Sequence, residues 1–180
     1  MRVISGTARG THLEAPEGDS TRPTTDRIKE TLFNMIAFDM PQCELLDLFS
    51  GSGAISIECL SRGGTRAVLV ERDKKALEVI KRNLEKTRLK EKTKILEMDV
   101  INALDKLRGD KFDVIFMDPP YALNNIDEIL QKISNDNFLN ENGYIILERS
   151  TNTIVKLPQN LVLWKEKKYK TTTLSFIRKG

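Results

Sequence analysis

The sequence predicts an α/β protein built on one mostly parallel β-sheet, and three observations support this prediction. Apolar runs typical of buried strands alternate along the chain with segments whose apolar residues recur at helical spacing. Repeated strand–helix–strand units require parallel pairing, with helices covering both faces of the sheet. The last two predicted strands have no helical pattern between them, so we expect an antiparallel hairpin at the end of the sheet.

The first 40 residues predict a small extension that precedes the sheet. Residues 2–5 and 11–15 are predicted to pair as a hairpin around a turn bounded by glycines. A helix over 25–38 follows, with its apolar residues recurring on one face. Because the length suits one domain, we expect a single domain over 1–180, with residues 1–40 as a hairpin-and-helix extension.

The elements of the sheet follow in alternation. The predicted strands span residues 44–49, 66–71, 93–98, 112–117, 143–147, 161–169 and 171–178. The predicted helices among the parallel strands span 54–62, 74–88, 100–107 and 126–133. In an open α/β sheet, ligands bind at the carboxyl ends of the strands, so residues directly after these strands are the candidates for chemistry.

The charge distribution suggests a surface for a polyanion. The formal net charge is only +3, but residues 151–180 carry seven lysines and arginines against one acid, Glu166. This pattern is typical of nucleic-acid binding. A solvated lysine-rich hairpin that keeps an edge strand from aggregating would produce the same pattern.

Composition excludes several classes of protein. No window approaches eighteen uninterrupted apolar residues, so no transmembrane helix is expected, and no apolar signal segment follows Met1. Cys43, Cys59 and the single His12 are too few and too scattered for a disulfide framework or a structural zinc site. We therefore expect a cytoplasmic protein that binds no metal.

The segment after the first strand, from Asp47 to Gly53, reads Asp-Leu-Phe-Ser-Gly-Ser-Gly. Its glycines would let the backbone approach a ligand closely, although they could serve only as a strand-to-helix turn. A dinucleotide-binding loop usually continues to a third glycine, and here Ser56 occupies that place. The Asp47 carboxylate would repel a pyrophosphate but could hold an ammonium group.

Two further acids follow the second and third strands. Glu71 stands where an acidic residue can accept the hydroxyls of a ribose, or it could be a surface carboxylate that opens a helix. Asp99 could accept from an adenine amino group while the Val100 amide meets a ring nitrogen. Equally, Asp99 could only cap the helix that begins at Val100.

The segment after the fourth strand reads Asp118-Pro119-Pro120-Tyr121. Adjacent prolines fix an extended turn and remove two backbone donors, which leaves a rigid group of oxygen acceptors beside an aromatic ring. This combination suits a planar base whose exocyclic amine faces the acceptors while its ring stacks on Tyr121. The alternative is an ordinary proline turn with a packed tyrosine.

These motifs, in this order, resemble those of class I S-adenosylmethionine-dependent methyltransferases, which have a Rossmann-like fold. The segments 2–10, 22–27 and 29–34 resemble more narrowly the bacterial RsmD-type guanine-N2 methyltransferases of small-subunit (16S) ribosomal RNA. The resemblance covers nearly the whole chain, except that no family motif is recognised in the lysine-rich C-terminal tail. The Asp-Pro-Pro-Tyr segment alone is shared with adenine-N6 enzymes.

The resemblance implies a role for each motif. The implied S-adenosylmethionine-binding residues are Asp47, Phe49, Gly51, Gly53, Glu71, Arg72, Asp99 and Val100. The implied catalytic residues are Asp118, Pro119, Pro120 and Tyr121. The candidate RNA contacts are Arg9, Arg22 and Arg27, of which the last two could instead form salt bridges. The implied substrate is 16S ribosomal RNA within a small-subunit particle, and we expect a monomer.

Two other functions remain as alternatives. An adenine-N6 methyltransferase acting on DNA would share the Asp-Pro-Pro-Tyr segment, but such enzymes usually carry an added recognition domain for which this chain has little room. A non-catalytic RNA-binding or assembly module on the same fold would have no need of an intact Asp118. A nicotinamide dehydrogenase fits less well, because it would have no use for Asp47.

Overall fold

The protein folds around a seven-stranded β-sheet in a computed structural model that describes residues 1–16, 24–120 and 122–180. Its strands are β1 (Glu44–Asp47), β2 (Arg66–Glu71), β3 (Thr93–Glu97), β4 (Phe112–Met117), β5 (Leu139–Ser150), β6 (Leu161–Lys168) and β7 (Thr172–Lys179). Its α-helices are α1 (Thr24–Met35), α2 (Ala54–Ser61), α3 (Lys74–Thr87), α4 (Val100–Lys106) and α5 (Ile126–Asn135). Short 3₁₀ helices lie at Ala37–Asp39 and Lys90–Lys92.

The strand order confirms the predicted mixed sheet. The order is β3-β2-β1-β4-β5-β7-β6, with β1 to β5 mutually parallel and β7 antiparallel to both of its neighbours. The direction of strand succession reverses between β1 and β4. The carboxyl ends of these two strands therefore flank the crevice at which ligands of open α/β sheets bind.

Two apolar layers cover the sheet, as the buried strand patterns predicted. Buried residues of α1, α2 and α3 pack on one face, and those of α4 and α5 pack on the other. Successive residues of a strand point to opposite faces, so Leu45 joins the first layer and Leu46 the second. Cys43 and Cys59 are free and buried, and they pack as small apolar side chains.

The predicted N-terminal hairpin is shorter in the structure than in the prediction. Its two expected strands are reduced to one antiparallel bridge between Arg2 and His12. The reason is that neighbouring helices take the backbone groups: the Ile4 amide donates to Glu58 of α2, and the Glu14 amide donates to a side chain of α3. The expected helix over 25–38 ends earlier, at Met35.

A buried carboxylate holds this N-terminal segment and α1 against α2. Glu58 is fully buried and accepts hydrogen bonds from the amides of Ile4 (2.9 Å) and Ser5 (3.0 Å). It also pairs with Lys29 Nζ at 3.1 Å and with Arg62 Nε at 2.8 Å. Burial opposes ionisation, but the donors outweigh it and hold the pKa of Glu58 below its ordinary value.

Replacing Glu58 by glutamine should strongly destabilise the fold. The change leaves Lys29, which is only 4% exposed, as an uncompensated buried charge, so we expect a loss of about 3–5 kcal/mol in the free energy of unfolding. Urea denaturation of Glu58→Gln and of Glu44→Gln, which removes a partly exposed pair with Arg66, measures the difference. Equal losses in the two variants would contradict a structural role for the buried carboxylate.

Candidate active site

The turn that follows β1 owes its shape to two glycines. Gly51 and Gly53 have φ angles of +54° and +77°, a region that other residues rarely adopt, and the Gly53 amide donates to the Ser50 carbonyl at 2.7 Å. A Cβ on Gly53 would lie 3.3 Å from Leu69, whereas one on Gly51 would meet nothing within 4 Å. Gly53 therefore packs closely on the core, while Gly51 faces open space beside the turn.

Asp47, the last residue of β1, is a buried carboxylate with one unsatisfied oxygen. It is 1% exposed, and its Oδ2 accepts a hydrogen bond from Ser56 Oγ at 2.9 Å. Its Oδ1 is buried without a hydrogen-bond partner in the described part of the chain. Burial raises the pKa of Asp47 to about 7; the Ser56 bond opposes the shift, and the charges of Glu71 and Asp118 add to it.

Glu71, at the end of β2, organises the glycine turn. Its Oε2 accepts from the Gly51 amide at 2.9 Å, and its Oε1 accepts from the amides of Arg72 (2.8 Å) and Asp73 (2.9 Å). A carboxylate has about four lone-pair positions, so three of them are engaged by backbone donors. Glu71 is half-buried, and these bonds connect the glycine turn with the two residues that precede α3.

Asp99 caps α4, as one of the two sequence hypotheses proposed. Its Oδ1 accepts from the Asn102 amide at 3.0 Å, and its Oδ2 accepts from the Asn102 side chain. The Asn102 amide bond holds the pKa of Asp99 below its ordinary value. Val100, the first residue of α4, is buried, and amides of a first helical turn lack a partner within the helix.

The proline turn lies beside Asp47 at the carboxyl edge of the sheet. Asp47 pairs in register with Phe116 of β4, so Asp118 stands two residues beyond the end of β1, and its charge reaches the Asp47 carboxyl group. Asp118 and Pro120 are exposed, whereas Pro119 between them is buried and anchors the turn. The Pro120 carbonyl accepts the Leu123 amide at 2.9 Å. Tyr121 lies outside the described residues.

Half-buried apolar side chains surround these acids. Phe49 packs on the layer formed by α4 and α5, as do Met98, Leu123 and Ile126. Only Phe49 among them was a sequence candidate. Met98 and Leu123 could have been recognised from their positions in the sequence, because Met98 directly follows β3 and Leu123 follows the proline turn. Together they give the edge an apolar wall next to its carboxylates.

One functional residue that the sequence hypotheses missed connects the N-terminal segment to the glycine turn. Asn83 of α3 is fully buried, and its Nδ2 donates to the carbonyls of Ser52 (2.9 Å) and Glu14 (3.0 Å). Its Oδ1 accepts the Glu14 amide at 2.8 Å. The available signal was a polar residue at a buried helical position next to Leu84.

The candidate RNA contacts are not gathered at this edge. Arg9 is exposed on a turn whose neighbours Thr7 and Ala8 bond to Ser61, at the far end of α2. That end lies about 12 Å along the helix from the glycine turn, at 1.5 Å per residue. Arg22 lies outside the described residues.

Arg27 lies closer to the edge than Arg9. Lys29 contacts Glu58 and the Phe33 carbonyl contacts Arg62, so α1 runs beside α2 in the same direction. Arg27 is therefore displaced towards the end at which α2 begins, and it is exposed. A salt bridge was the alternative role for Arg27, and no carboxylate of the described ranges pairs with it.

The other features of the described residues form no second catalytic or metal-binding site. No group of histidine, cysteine, aspartate and glutamate side chains there is arranged to hold a metal ion. None of the described helices is long and apolar enough to cross a membrane. A small cavity between α1 and the sheet is lined by apolar side chains such as Leu32, Phe116 and Ile146, so it offers no polar chemistry.

Comparison with known proteins gives consistent matches over nearly the whole chain. The model of the family described as Conserved hypothetical protein 95 matches residues 1–178. A candidate rRNA methyltransferase of Bacillus subtilis, YlbH, is 39% identical over 184 aligned positions, which cover 99% of each chain. The Ribosomal RNA small subunit methyltransferase D of Haemophilus influenzae is 33% identical, covering 93% of this chain and 88% of its own. The structure of a candidate methyltransferase of Escherichia coli, yhhF, has a TM-score of 0.89 at 29% identity, covering 99% of this chain and 97% of that one.

The buried Asp47 should make stability fall as pH rises. The folded state keeps the Asp47 proton up to about pH 7, whereas the unfolded chain loses it near 3.8, so the free energy of unfolding decreases between these values and levels off above them. We expect Asp47→Asn to lack this decrease and to be more stable than the unsubstituted protein at pH 8, by up to about 4 kcal/mol. Denaturant titrations from pH 4 to 8 measure it. Asp110→Asn, at the surface beside Arg66, is the control, and a parallel pH profile for Asp47→Asn would contradict the prediction.

Proposed function

The chain belongs to the Conserved hypothetical protein 95 family, and from that membership we propose that it is an S-adenosylmethionine-dependent methyltransferase acting on the N2 amine of a guanine in small-subunit (16S) ribosomal RNA. The family predicted from the sequence is confirmed, and so is the fold of a class I methyltransferase. One observation carries the proposal: an unsatisfied, buried Asp47 oxygen lies beside a rigid proline turn at the point where strand order reverses.

The residues at the edge fit this cofactor. Asp47 Oδ1 is a buried acceptor that no donor of the described residues reaches, and the ammonium of a methionine moiety would supply a donor and a positive charge there. The open space beside Gly51 admits the cofactor close to the backbone. When bound, S-adenosylmethionine supplies a methyl group on a positively charged sulfur, which is an activated leaving group.

The remaining cofactor contacts divide between polar and apolar groups. Glu71 has about one lone-pair position left beyond its three backbone donors, so it accepts one ribose hydroxyl, and a second only if a backbone amide is displaced. Asp99 and the Val100 amide would hold the adenine, and the half-buried Phe49 and Met98 would supply apolar contacts to it. Arg72 contributes the amide that fixes Glu71.

The proline turn prepares the guanine amine for reaction. The guanine N2 lone pair is delocalised into the ring, and hydrogen bonds from its amine hydrogens to Asp118 and to the Pro119 carbonyl favour a more pyramidal nitrogen. Tyr121 would stack on the extruded base, as the Asp-Pro-Pro-Tyr motif implies, and Pro120 keeps the turn extended. As the N–C bond forms and the S–C bond breaks, the amine proton becomes acidic and leaves to Asp118 Oδ or to water. Catalysis thus depends on alignment and on electrostatic support at the amine.

The substrate must present an unpaired or flipped guanine, because base pairing engages the N2 amine and stacked neighbours block approach to its lone pair, which is perpendicular to the base plane. We propose that Arg9, Arg22 and Arg27 bind phosphates around this base. Since Arg9 lies at the far end of α2, it would contact RNA at a distance from the target nucleotide. A small-subunit particle as substrate, a monomeric enzyme and a cytoplasmic location complete the proposal.

Mapping the methylated nucleoside tests the proposal directly. The protein is incubated with labelled S-adenosylmethionine and with small-subunit particles from cells that lack it, and the digested RNA is separated by mass spectrometry. We expect label in N2-methylguanosine. Label in methyladenine from a parallel reaction with DNA would favour the adenine-N6 alternative and overturn the assignment. No label, together with no calorimetric binding of S-adenosylmethionine, would favour the non-catalytic module.

Substitution of two acids should separate catalysis from cofactor binding. Asp118→Ala should lower the rate of methyl transfer by about 100-fold or more, because it removes the acceptor at the amine, with S-adenosylmethionine affinity little changed. Glu71→Ala should weaken cofactor binding by about 1–3 kcal/mol, because it removes a charged acceptor. Calorimetry and single-turnover rates measure both. Glu91→Ala, an exposed acid on a 3₁₀ helix, is the control. Equal loss of both properties in both variants would show that the roles are misassigned.

A further inference from the structure

We propose that the hairpin formed by β6 and β7 carries a second RNA-binding surface, in which Trp164 stacks on an unpaired base while Lys165, Lys167 and Arg178 bind the adjoining phosphates. We refer to these four residues as the hairpin surface. It lies outside the pocket described above and extends the proposed function by naming where the RNA backbone is held. It rests on that function only for the identity of the RNA.

The four side chains lie on one face of the sheet. Lys165 is paired in register with Phe176, and Lys167 with Leu174, so each lysine shares a face with its partner. Arg178 lies two residues beyond Phe176 on the same strand, and it therefore points to that face as well.

A β-bulge brings Trp164 to the same face. The register shifts between Leu163 and Lys165, so Trp164 has no residue opposite it on β7. Its ring centroid lies 6.0 Å from that of Tyr144 and 6.5 Å from that of Phe176, both in edge arrangements. The bulge thus places the indole over the rim of the apolar layer instead of turning it away.

Trp164 has the properties of a stacking platform. Two edge contacts fix the orientation of its ring, and the residue remains 51% exposed. The Arg178 guanidinium lies 5.2 Å from its ring centroid, close enough for a cation–π contact. Aromatic rings held beside cations are what proteins use to bind single-stranded RNA, since every base has a face to stack.

Among the described residues, β5 places one acid, Glu148, on the face of the hairpin surface, in the row of Lys167 and two strands away. Within the described ranges, no carboxylate forms an ion pair with Lys165, Lys167 or Arg178. The hairpin's one acid, Glu166, is paired in register with Ser175 on the opposite face, where it bonds to Arg149 Nη2 at 2.7 Å. Cations without acidic partners around an exposed ring complement a phosphate backbone.

Protection of an edge strand does not explain this arrangement. Lysines on β6 would protect the edge of the sheet from pairing with another chain, but a half-exposed tryptophan on the same strand would counteract them.

A second copy of the chain also fits the hairpin surface poorly. A two-fold contact centred on Trp164 would bring the cations of one hairpin surface against those of the other.

One end of the hairpin surface, at Lys167, reaches the edge that holds the proline turn, and Lys165 and Arg178 lie further back along the hairpin. Met117 is in register with Leu147, Leu147 with Ser175, and Ser175 with Glu166. Lys167 is therefore in the row of Asp118, three strands away, which corresponds to about 14 Å at the usual strand spacing. One RNA segment can contact both places.

The single tryptophan of the chain makes the stacking step directly measurable. The full-length protein is titrated with a short single-stranded oligoribonucleotide and, separately, with heparin, a polyanion without bases, while Trp164 fluorescence is recorded. We expect strong quenching by the RNA and little by heparin at equal occupancy. RNA binding without a change in Trp164 fluorescence would overturn the proposal.

Charge reversal at matched sites tests the phosphate contacts. The variant Lys165→Glu/Arg178→Glu should weaken binding of the unmethylated small-subunit RNA by at least about 10-fold and lower the slope of log Kd against log salt by about 2. The control Lys94→Glu/Lys111→Glu makes the same change in net charge at exposed residues of β3 and of the loop before β4. Equal Kd values for the two variants would overturn the proposal.

Further measurements separate folding and self-association from RNA binding. Trp164→Ala should weaken RNA binding, and Trp164→Phe, which keeps an aromatic face, should restore most of it. A dimer in sedimentation that Trp164→Ala dissociates would assign the surface to a second copy and overturn the proposal. If RNA quenches the Trp164 fluorescence but the protein transfers no methyl group, the hairpin surface is supported as an RNA-binding surface and the proposed function is overturned.

Discussion

The burial of one carboxylate at the end of the central strand is the constraint around which the site is arranged. Removing Asp47 from water opposes its ionisation; the Ser56 hydroxyl bonds one of its oxygens, and the other has no hydrogen-bond partner among the described residues. Neighbouring acids strengthen the effect, because Glu71 is drawn to the glycine turn by the Gly51 amide and Asp118 follows the adjacent strand. A cation placed among these groups removes all of these penalties at once. The edge is thus less stable alone than with a positively charged ligand.

The N-terminal segment supports this arrangement from the side. Glu58 fixes its first residues to α2, and Asn83 fixes Glu14 to the carbonyl of Ser52 within the glycine turn. Both side chains are fully buried, so water does not compete for their hydrogen bonds. A movement of the N-terminal segment would therefore change the position of the glycine turn. These hydrogen bonds thus connect the segment that carries Arg9 with the edge of the sheet that carries Asp47.

Much of this organisation was predictable from the sequence, because strand and helix periods are local properties. The order of the last strands was not predictable. β7 lies between β5 and β6, and its pairing with β5 joins residues that are distant in sequence. β5 begins at Leu139 rather than 143, because its polar start is held by Asn140 bonding to Asp113 of β4. Asn83 and the hydrogen bond from Ser56 to Asp47 were not predicted for the same reason: the role of each side chain depends on tertiary neighbours. Glycines and acids directly after strands were recognisable because their positions alone carry the signal.

In the proposed function, the separation of charge across the sheet would hold the phosphates of the RNA away from the reacting base. The carboxyl edges of β1 to β4 are rich in carboxylates, which favour a cationic cofactor and repel phosphates. Lys167 lies about 14 Å further along the same edge, beyond the screening length of about 8 Å at physiological ionic strength, with Glu148 in the row between it and Asp118. Phosphates can therefore bind the flank without opposing the acids. Only an uncharged base, extended from its strand, can then enter among the carboxylates, so the charge pattern itself selects a flipped nucleotide over an intact helix.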